Sequence, residues 1–570
     1  LEIRADGTTG VGIRSVSPSG RHLLYAVRDG GRDEVELRVR DLETGEDLED
    51  RLPNALYGSS WIWSRDGDAF LYVHRSREDG PRARIHRLGT PVADDEEVLG
   101  AGVPPTAFLS VSRVDEDSRL LVEVQHGWAR QDVYLADAGE DGLTPTSPPV
   151  PLVEGVDAQF DVRFHDGRLW IRTSHQAPNY RLITADPEEP GIDSWEPVIP
   201  ESDETLQDFA LIDGRLYVTY LDDVASRIRV FETDGTPAGE VEIPELSRAR
   251  IAAADDGTAH LTVESFTQPE IVWEIDLETG ERAVHEEPDV EFDADGIEVS
   301  RLWAESGDGT RVPYFVIHRA GLEPDGDEPT LLYGYGGFNV ALEPGFSPRA
   351  ATWVEAGGVY AQASLRGGGE FGDDWHRDGW LGAKQHVFDD FIAVAEDLMA
   401  RDYTDPERLA IRGVSNGGLL MGSVVTQRPD LFRVAFIGFP DLDMIRFDTF
   451  ERTNNKPALL EYGDASDPEQ FQFLRSYSPY QAVDDGTEYP AVLIASGDLD
   501  TRVPPLQARK MAARLQAASA SPYPVILRYD PRAGHAGGRT MQTRIDDTAA
   551  ELAFAWWQLG SPRWWEGEEP

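Results

Sequence analysis

A serine flanked by glycines lies between an apolar segment and a helix-forming segment. Residues 409–420 read Leu-Ala-Ile-Arg-Gly-Val-Ser-Asn-Gly-Gly-Leu-Leu, and this order predicts a short strand, a sharp turn and the start of a helix. The five residues from Gly413 to Gly417 fit the G-x-S-x-G nucleophile elbow, whose strained turn requires small residues on either side of the serine. The helix N-terminus behind Ser415 would offer N–H groups to a developing oxyanion. The pattern therefore predicts a nucleophile at Ser415 rather than an incidental serine in a Gly-rich turn.

A serine nucleophile of this kind needs an acid and a histidine base, which follow the serine in that order in the α/β-hydrolase arrangement. His535 is the only histidine C-terminal to Ser415. It lies in a Gly-rich loop between a predicted strand at 524–529 and a predicted helix at about 541–557. Asp498 and Asp500 both follow a predicted apolar strand at 491–495. Position alone leaves both aspartates open as the acid.

The chain shows two patterns that change near residue 290. Residues 1–290 contain short alternating strands separated by Asp/Gly turns, in about six strand–turn–strand units with a period of about 40–50 residues, which is typical of a β-propeller. Residues 291–570 alternate buried strands with helices, which predicts a doubly wound α/β domain. Ser415, both aspartates and His535 all lie in this second domain.

Composition excludes several classes of function. The 570 residues carry a formal net charge of -52, which argues against a nucleic-acid partner. The chain has no cysteine, no run of apolar residues long enough to cross a bilayer, and no His or carboxylate cluster with metal-ligand spacing. These features predict no membrane partner and no metal site. We further expect a cytoplasmic monomer that needs no cofactor. The acidic surface suits a high-salt cytoplasm, and the alternative is an acidic protein from a GC-rich, non-halophilic source.

Several motifs of the second domain together resemble the prolyl oligopeptidase family. They are Tyr333–Asn339, Arg366–Gly372, Gly413–Leu420, Gln427–Phe432, Asp498–Val503 and Gly534-His535. The resemblance implies an α/β-hydrolase domain capped by a seven-bladed propeller, acting on short peptides as a serine oligopeptidase without a cofactor. It also implies a further N-terminal segment, so the chain is expected to begin after that segment and to lack a blade.

The resemblance assigns roles to individual positions. Ser415 would be the nucleophile, His535 the general base and Asp500, rather than Asp498, the orienting acid. Further assignments concern the oxyanion and the substrate: the Tyr335 hydroxyl and the Asn416 N–H would bind the oxyanion, Arg502 the carbonyl of the residue before the scissile one, and Phe338, Tyr462 and Val503 would line the S1 pocket.

Two positions depart from the family pattern. Ala458 occupies the place of a tryptophan that stacks on the substrate proline, and Asp441 the place of a valine of the same pocket. A wider and anionic S1 pocket would favour basic P1 residues, as in the related oligopeptidase B. If Asp441 instead turns toward a structural arginine such as Arg446, proline would still be accepted. Cleavage after proline is the preferred prediction, and a basic P1 preference is the alternative.

Two further functions share parts of this pattern. An acylaminoacyl peptidase or an esterase would have the same elbow and triad, but Arg502 favours peptides because it would have a carbonyl to bind. An inactive peptide-binding propeller protein is the non-enzymatic alternative, and the presence of Ser415, Asp500, His535 and Tyr335 argues against it.

Overall fold

The computed structural model describes residues 8–56, 60–76, 79–114, 119–254, 257–450, 456–535 and 540–560. The N-terminal part consists of antiparallel sheets, and the C-terminal part contains one eight-stranded mixed sheet with helices. The architecture changes between a strand that ends at Glu286 and a strand that begins at Ile297. This is the predicted fold class, a propeller domain followed by an α/β-hydrolase domain.

Six antiparallel units of four strands each, here called blades, follow one another in the described part of the N-terminal domain. Their strands are, for blade 1, β1 (Thr9–Val16), β2 (His22–Asp29), β3 (Glu34–Asp41) and β4 (Asp47–Leu56); for blade 2, β5 (Trp61–Trp63), β6 (Ala69–Ser76), β7 (Gly80–Arg87) and β8 (Glu96–Leu99); for blade 3, β9 (Phe108–Arg113), β10 (Arg119–His126), β11 (Arg130–Asp137) and β12 (Val150–Val153); for blade 4, β13 (Phe160–His165), β14 (Arg168–Thr173), β15 (Arg181–Ala185) and β16 (Glu196–Ile199); for blade 5, β17 (Thr205–Ile212), β18 (Arg215–Asp222), β19 (Ala225–Glu232) and β20 (Pro237–Val241); and for blade 6, β21 (Ser247–Ala253), β22 (Thr258–Ser265), β23 (Ile271–Asp276) and β24 (Arg282–Glu286). A single pairing between β4 and β6 joins blades 1 and 2 into one sheet.

The repeated turns of the propeller have a local physical cause. The Asp-Leu-Glu-Thr-Gly sequence occurs after β3 and again after β23. In the first copy, Asp41 Oδ1 accepts hydrogen bonds from the N–H groups two and three residues further on, both at 2.9 Å. Asp276 does the same in the second copy, at 2.9 and 2.7 Å. The aspartate therefore closes each turn with its side chain, as Asx turns do, and apolar clusters fill the space between successive blades.

The C-terminal domain is built on one sheet with helices on both faces. Its strands are β25 (Ile297–Glu305), β26 (Arg311–Arg319), β27 (Thr330–Tyr333), β28 (Val359–Ala363), β29 (Leu409–Val414), β30 (Val434–Gly438), β31 (Ala491–Gly497) and β32 (Val525–Asp530). Its α-helices are α1 (Pro348–Glu355), α2 (Gly372–Arg377), α3 (Gln385–Ala400), α4 (Asn416–Gln427), α5 (Leu459–Tyr462), α6 (Pro468–Tyr477), α7 (Pro479–Ala482), α8 (Leu506–Ala518) and α9 (Met541–Leu559). The strand order is β25-β26-β28-β27-β29-β30-β31-β32, antiparallel up to β28 and parallel from there.

Two apolar cores hold this sheet between its helices. One core packs α3, α4 and α8 against one face, and the other packs α1 and α9 against the opposite face. The buried strands are almost continuously apolar, as parallel strands covered on both sides must be. The loops at the carboxyl ends of β27, β29, β31 and β32 carry the predicted site residues, which is where ligands bind in open α/β sheets. None of the described helices is both long and apolar enough to span a membrane.

Candidate active site

Ser415 lies at the turn between β29 and α4, with φ 60° and ψ -119°. A non-glycine residue with positive φ is strained, and such strain concentrates at functional sites. A Cβ atom at Gly413 would lie 2.1 Å from the Gly417 carbonyl oxygen, and one at Gly417 would lie 2.7 Å from the Gly334 carbonyl oxygen. The small residues that the motif requires are therefore needed because backbone atoms fill the space on both sides of the serine.

His535 forms hydrogen bonds with both Ser415 and Asp500. Its Nε2 lies 3.1 Å from Ser415 Oγ, and its Nδ1 lies 2.7 Å from Asp500 Oδ2. The other Asp500 oxygen accepts the N–H groups of Arg502 at 3.0 Å and Val503 at 2.8 Å. These contacts fix a buried carboxylate behind the imidazole. They hold the ring in the orientation in which Nε2 faces Ser415 Oγ. The Gly-rich continuation of the His535 loop, 536–539, lies outside the described residues.

Asp498, the other acid that the sequence left open, has different contacts. Its Oδ1 accepts a hydrogen bond from Arg509 Nη2 at 3.1 Å and another from the Tyr529 hydroxyl. Its side chain is 45% exposed, whereas that of Asp500 is fully buried. The structure thus pairs His535 with Asp500.

The two predicted oxyanion donors belong to neighbouring segments. Asn416 opens α4 directly after Ser415, and its side-chain Nδ2 donates a 2.6 Å hydrogen bond to the Tyr335 carbonyl oxygen. This bond holds the loop after β27 beside the elbow. The Tyr335 hydroxyl forms no hydrogen bond with another described residue. Burial raises the Tyr335 pKa above its usual value, so the hydroxyl stays protonated at neutral pH and can donate a hydrogen bond to an oxyanion.

Two of the predicted S1 residues, Phe338 and Tyr462, form an aromatic corner beside this loop. The rings of Phe338 and Tyr462 meet edge to face, with centroids 5.3 Å apart, and the Tyr462 hydroxyl donates to Asn416 Oδ1 at 3.1 Å. Val503 is buried and its N–H donates to Asp500, and Ala458 is fully buried at the start of α5. Ala458 contributes no ring to this corner, as expected from its departure from the family pattern.

Trp128 of the propeller also contacts this corner, and the sequence analysis did not identify it. It lies in the hairpin between β10 and β11, and its ring meets that of Phe338 edge to face at 4.4 Å. No motif of the first domain singles out this tryptophan in the sequence. The contact places a side chain of the first domain beside the pocket of the second.

Asp441 is buried near Asp500 and Tyr462. Burial, together with the charge of Asp500, raises the Asp441 pKa to about 8, and a 3.3 Å hydrogen bond from Gln507 opposes this shift. The alternative in which Asp441 turns toward Arg446 is wrong, since Arg446 pairs with Asp443 at 3.1 Å. Asp441 is thus a buried carboxyl group that is mostly neutral at pH 7.

Arg502 is held by the propeller. Its Nε and Nη2 atoms donate to the two oxygens of Asp33 at 2.9 and 2.8 Å. Asp33 lies between β2 and β3, and the neighbouring Glu34 accepts a 2.8 Å hydrogen bond from the Thr501 hydroxyl. The predicted carbonyl-binding arginine therefore stands at a contact between the two domains, which sequence spacing could not reveal.

Comparisons with known proteins identify relatives of both domains. Residues 2–288 match the model of the prolyl oligopeptidase N-terminal beta-propeller domain, and residues 344–562 match that of the prolyl oligopeptidase family. A prolyl endopeptidase of Elizabethkingia meningoseptica is 32% identical over 97% of this chain and 79% of its own length. The dipeptidyl aminopeptidase BI of Pseudoxanthomonas mexicana is 31% identical over 96% of this chain and 76% of its own length. A structure from a study of two prolyl endopeptidases superposes with a TM-score of 0.92 at 36% identity, covering 97% of this chain and 82% of the other.

Proposed function

The chain belongs to the prolyl oligopeptidase family and is a serine peptidase, and from this premise we propose that it cleaves internal bonds of short peptides, after proline, through an acyl-enzyme. The observation that carries the proposal is the hydrogen-bonded series Ser415–His535–Asp500, with separations of 3.1 and 2.7 Å. The roles of the individual residues in this reaction are part of the proposal.

Acylation begins when His535 Nε2 takes the proton of Ser415 Oγ. The oxygen forms a bond with the carbonyl carbon of the scissile peptide, and the carbonyl oxygen becomes an oxyanion. The Tyr335 hydroxyl and the Asn416 N–H donate hydrogen bonds to it. The carbon–nitrogen bond then breaks, and the leaving amine takes the proton from His535. Asp500 keeps the imidazolium oriented and stabilises its charge.

Deacylation repeats these steps with water as the nucleophile. His535 accepts a proton from the water, the hydroxide oxygen bonds to the acyl carbon, and Ser415 Oγ leaves with that proton. The products are a new carboxyl end and a free serine. Every proton in this scheme moves through His535.

Restriction to short peptides is supported by the position of the site between the domains. Trp128 and Asp33 of the propeller contact Phe338 and Arg502 of the hydrolase domain. A substrate must therefore fit between two surfaces rather than lie in an open groove. Arg502 provides a cationic donor for the carbonyl of the residue before the scissile one, which favours a peptide over a simple ester.

Proline at P1 is supported by relatives named prolyl endopeptidase and by the aromatic rings of Phe338 and Tyr462. The second candidate is a basic P1 residue, favoured by Asp441, whose carboxyl group is buried beside Tyr462 in place of an apolar side chain. Its pKa of about 8 means that it is mostly neutral at pH 7, so a cationic side chain would have to promote its ionisation.

The test compares kcat/KM for matched peptides with Pro or Arg at P1, and for the corresponding esters. Wild type, Asp441→Val, Ala458→Trp and the double variant are assayed at pH 7. A strong Pro preference that Asp441→Val leaves unchanged supports the proposal. A preference for Arg that Asp441→Val removes favours the second candidate, and non-additive effects of the two substitutions indicate one shared pocket. Turnover of esters with none of peptides contradicts both.

We also propose that the enzyme works in the cytoplasm as a monomer, with peptides as its only partners. Residues of one chain supply the triad, the aromatic corner and the propeller contacts, so no second copy is needed to complete the site. The net charge of -52 opposes binding to nucleic acids. Gel filtration with light scattering tests the monomer.

A further inference from the structure

The loop that carries Tyr335 and Phe338 is fixed by hydrogen bonds along its backbone. Residues 334–338 follow β27, and Gly336 has φ 59°, a left-handed conformation that glycine adopts without strain. Asn416 binds the carbonyl of Tyr335, as described above. Two further backbone groups, the Gly336 carbonyl and the Phe338 N–H, are bound by side chains from outside the elbow.

Lys384 binds the first of these groups. Its Nζ donates a 2.8 Å hydrogen bond to the Gly336 carbonyl oxygen, although its side chain is only 1% exposed. Burial lowers the Lys384 pKa to about 8. Lysine side chains are rarely buried, because burial removes the hydration of the ammonium group and the rotamer freedom of the long side chain.

Glu461 binds the second group. Its Oε1 accepts the Phe338 N–H at 2.7 Å and lies 3.9 Å from Lys384 Nζ, and its Oε2 is 2.9 Å from His376 Nε2. The side chains of Glu461 and His376 are fully buried. Glu461 precedes Tyr462 in α5, so one carboxylate joins the loop to the segment that carries the other aromatic wall of the pocket.

We propose that Lys384 and Glu461 are positioning residues for the reaction, which hold the loop so that the Tyr335 hydroxyl meets the oxyanion. Neither side chain touches the reacting atoms, and both act through the backbone of the loop. The proposal rests on the oxyanion role of Tyr335 given under the proposed function. Buried charges are a costly way to stabilise a fold, since apolar replacements are often as stable. What an apolar replacement could not do is bind a carbonyl and an N–H two residues apart in fixed positions.

The test is a double-mutant cycle of Lys384→Met with Tyr335→Phe, read as kcat on one peptide substrate. Tyr335→Phe alone should lower kcat by about 100- to 1000-fold, as the loss of one oxyanion donor does. Lys384→Met alone should lower kcat by about 10- to 100-fold with KM within about threefold, because the hydroxyl is misplaced rather than the substrate released. In the Lys384→Met background, the further loss of kcat caused by Tyr335→Phe should be smaller than in wild type by the factor that Lys384→Met itself costs, about 10- to 100-fold.

Tyr314→Phe is the matched control for Lys384→Met. Tyr314 is as fully buried as Lys384 and lies in the same domain, and its hydroxyl donates to Asp397 at 2.6 Å, away from the loop. Loss of the Tyr314 hydroxyl should lower the melting temperature. In the Tyr314→Phe background, Tyr335→Phe should lower kcat by the same factor as in wild type. Should Lys384→Met fail to fold, Glu461→Gln enters the same cycle, since it keeps the side-chain volume and removes the charge.

Two outcomes distinguish a failure of the positioning role from a failure of the oxyanion role. If Tyr335→Phe costs the same factor in the wild-type, Lys384→Met and Glu461→Gln backgrounds, the positioning role is overturned while the oxyanion role stands. If Tyr335→Phe leaves wild-type kcat unchanged, the oxyanion role itself fails and the positioning proposal falls with it.

A separate observation concerns the outer strands of blade 6. His260 on β22, Glu274 on β23 and His285 on β24 have their ligand atoms all within 4.8 Å of one another. His260 and Glu274 are directly paired across their strands, and the two imidazole centroids are 4.4 Å apart. Successive members of this set are 14 and 11 positions apart in the chain, so metal-ligand spacing in the sequence did not reveal them.

The donor set has the composition of a zinc site. Two imidazoles and one carboxylate are ligands that Zn²⁺ accepts, with a fourth position left for water. Within the described residues, the three side chains have no other hydrogen bond or ion pair. We propose that they bind one Zn²⁺ ion, which ties the exposed strand β24 to the rest of the blade.

Thermal unfolding and calorimetry with ZnCl₂ test this site on the whole chain, with MgCl₂ as the control for binding to the acidic surface. One equivalent of Zn²⁺ should bind and raise the melting temperature, and both effects should be lost in His285→Ala and in Glu274→Gln. His165→Ala removes a partly exposed histidine of blade 4 and should change neither zinc binding nor the zinc-dependent rise in melting temperature. Equal zinc responses in wild type and His285→Ala would overturn the proposal.

Discussion

The guanidinium group of Arg502 donates two hydrogen bonds to the carboxylate of Asp33, at 2.9 and 2.8 Å, although the two residues are 469 positions apart in the chain. Arg502 follows Asp500 by two residues, and Asp33 lies in the first blade. The pair therefore connects the propeller to the segment that carries Asp500. It also fixes the guanidinium group that we propose to bind the substrate carbonyl. The Asp33 carboxylate is suited to this, because two parallel hydrogen bonds hold the planar group in one orientation.

Asp33→Asn should raise KM by up to about fivefold and leave kcat nearly unchanged, because it loosens Arg502 without touching the triad. We expect this size of increase in KM because a partly exposed ion pair contributes up to about 1 kcal/mol. Steady-state kinetics on one peptide measures KM and kcat. Asp157→Asn is the control, since Asp157 forms a similar two-bond pair between the domains with Arg377. Equal kinetic effects of the two substitutions would show that Asp33 acts only through domain contact.

Tyr335→Phe should lower kcat by about 100- to 1000-fold with little change in KM, because the hydroxyl meets full negative charge only in the transition state. Tyr333→Phe, two residues earlier on β27, should keep wild-type kcat. Parallel kinetics of the two variants make the comparison. A rise in KM alone for Tyr335→Phe would mean that the hydroxyl binds the ground state.

Asp441→Asn should flatten the pH dependence of stability. The folded pKa of about 8 exceeds the ordinary value of 3.8, so between these limits the folded state holds a proton that the unfolded state releases. The stability that Asp441 contributes is therefore fully present below about pH 4 and falls as pH rises to about 8, by at most about 1.4 kcal/mol per pH unit.

Urea unfolding of wild type and Asp441→Asn at pH 5, 6, 7 and 8 measures this slope. The matched control is Asp443→Asn. Burial opposes the ionisation of Asp443, but contacts with Lys510, Gln481 and Arg446 outweigh burial and lower the Asp443 pKa, so this carboxyl group stays ionised between pH 5 and pH 8. Its removal should shift stability by a constant amount above pH 5. Identical slopes in wild type and Asp441→Asn would contradict the burial of an ionisable carboxyl group at this position.

Salt should stabilise the folded chain. A formal charge of -52 repels itself in the compact state, and molar salt shortens the screening length to about 3 Å. The melting temperature should rise steeply between dilute buffer and about 2 M KCl, a concentration at which exposed charges are screened. It should rise less in sucrose of equal osmolality. A flat response would contradict adaptation to a high-salt cytoplasm and leave an acidic protein without that adaptation.

The parts of the site that follow local rules could be predicted from the sequence. Ser415 is fixed by the steric demands of its own turn, and His535 is the only histidine in the chain order that the arrangement requires. The choice of Asp500 over Asp498 needed the family resemblance, because both follow β31 and only three-dimensional contacts separate them. The repeated aspartate turns could be recognised in the sequence, because each is closed within five residues. Their period predicted the propeller.

The remaining features depend on contacts between distant segments. Asp33 meets Arg502 and Trp128 meets Phe338 only after the propeller docks on the hydrolase domain, and no local pattern encodes that docking. Arg446 was one alternative partner for Asp441, but Arg446 pairs with Asp443 and Asp441 contacts Gln507. Sequence separation is a poor guide where a loop folds back on a helix.

Reaction with a fluorophosphonate, followed by location of the adduct by mass spectrometry, tests the central claim most directly. The account predicts one adduct, on Ser415, at a rate that falls sharply in His535→Ala. It also predicts that Ser415→Ala gives no adduct, retains peptide binding and keeps less than about a thousandth of wild-type kcat. An adduct on another residue, or a Ser415→Ala variant that still turns over peptide above that level, would contradict the assignment of Ser415 as the nucleophile.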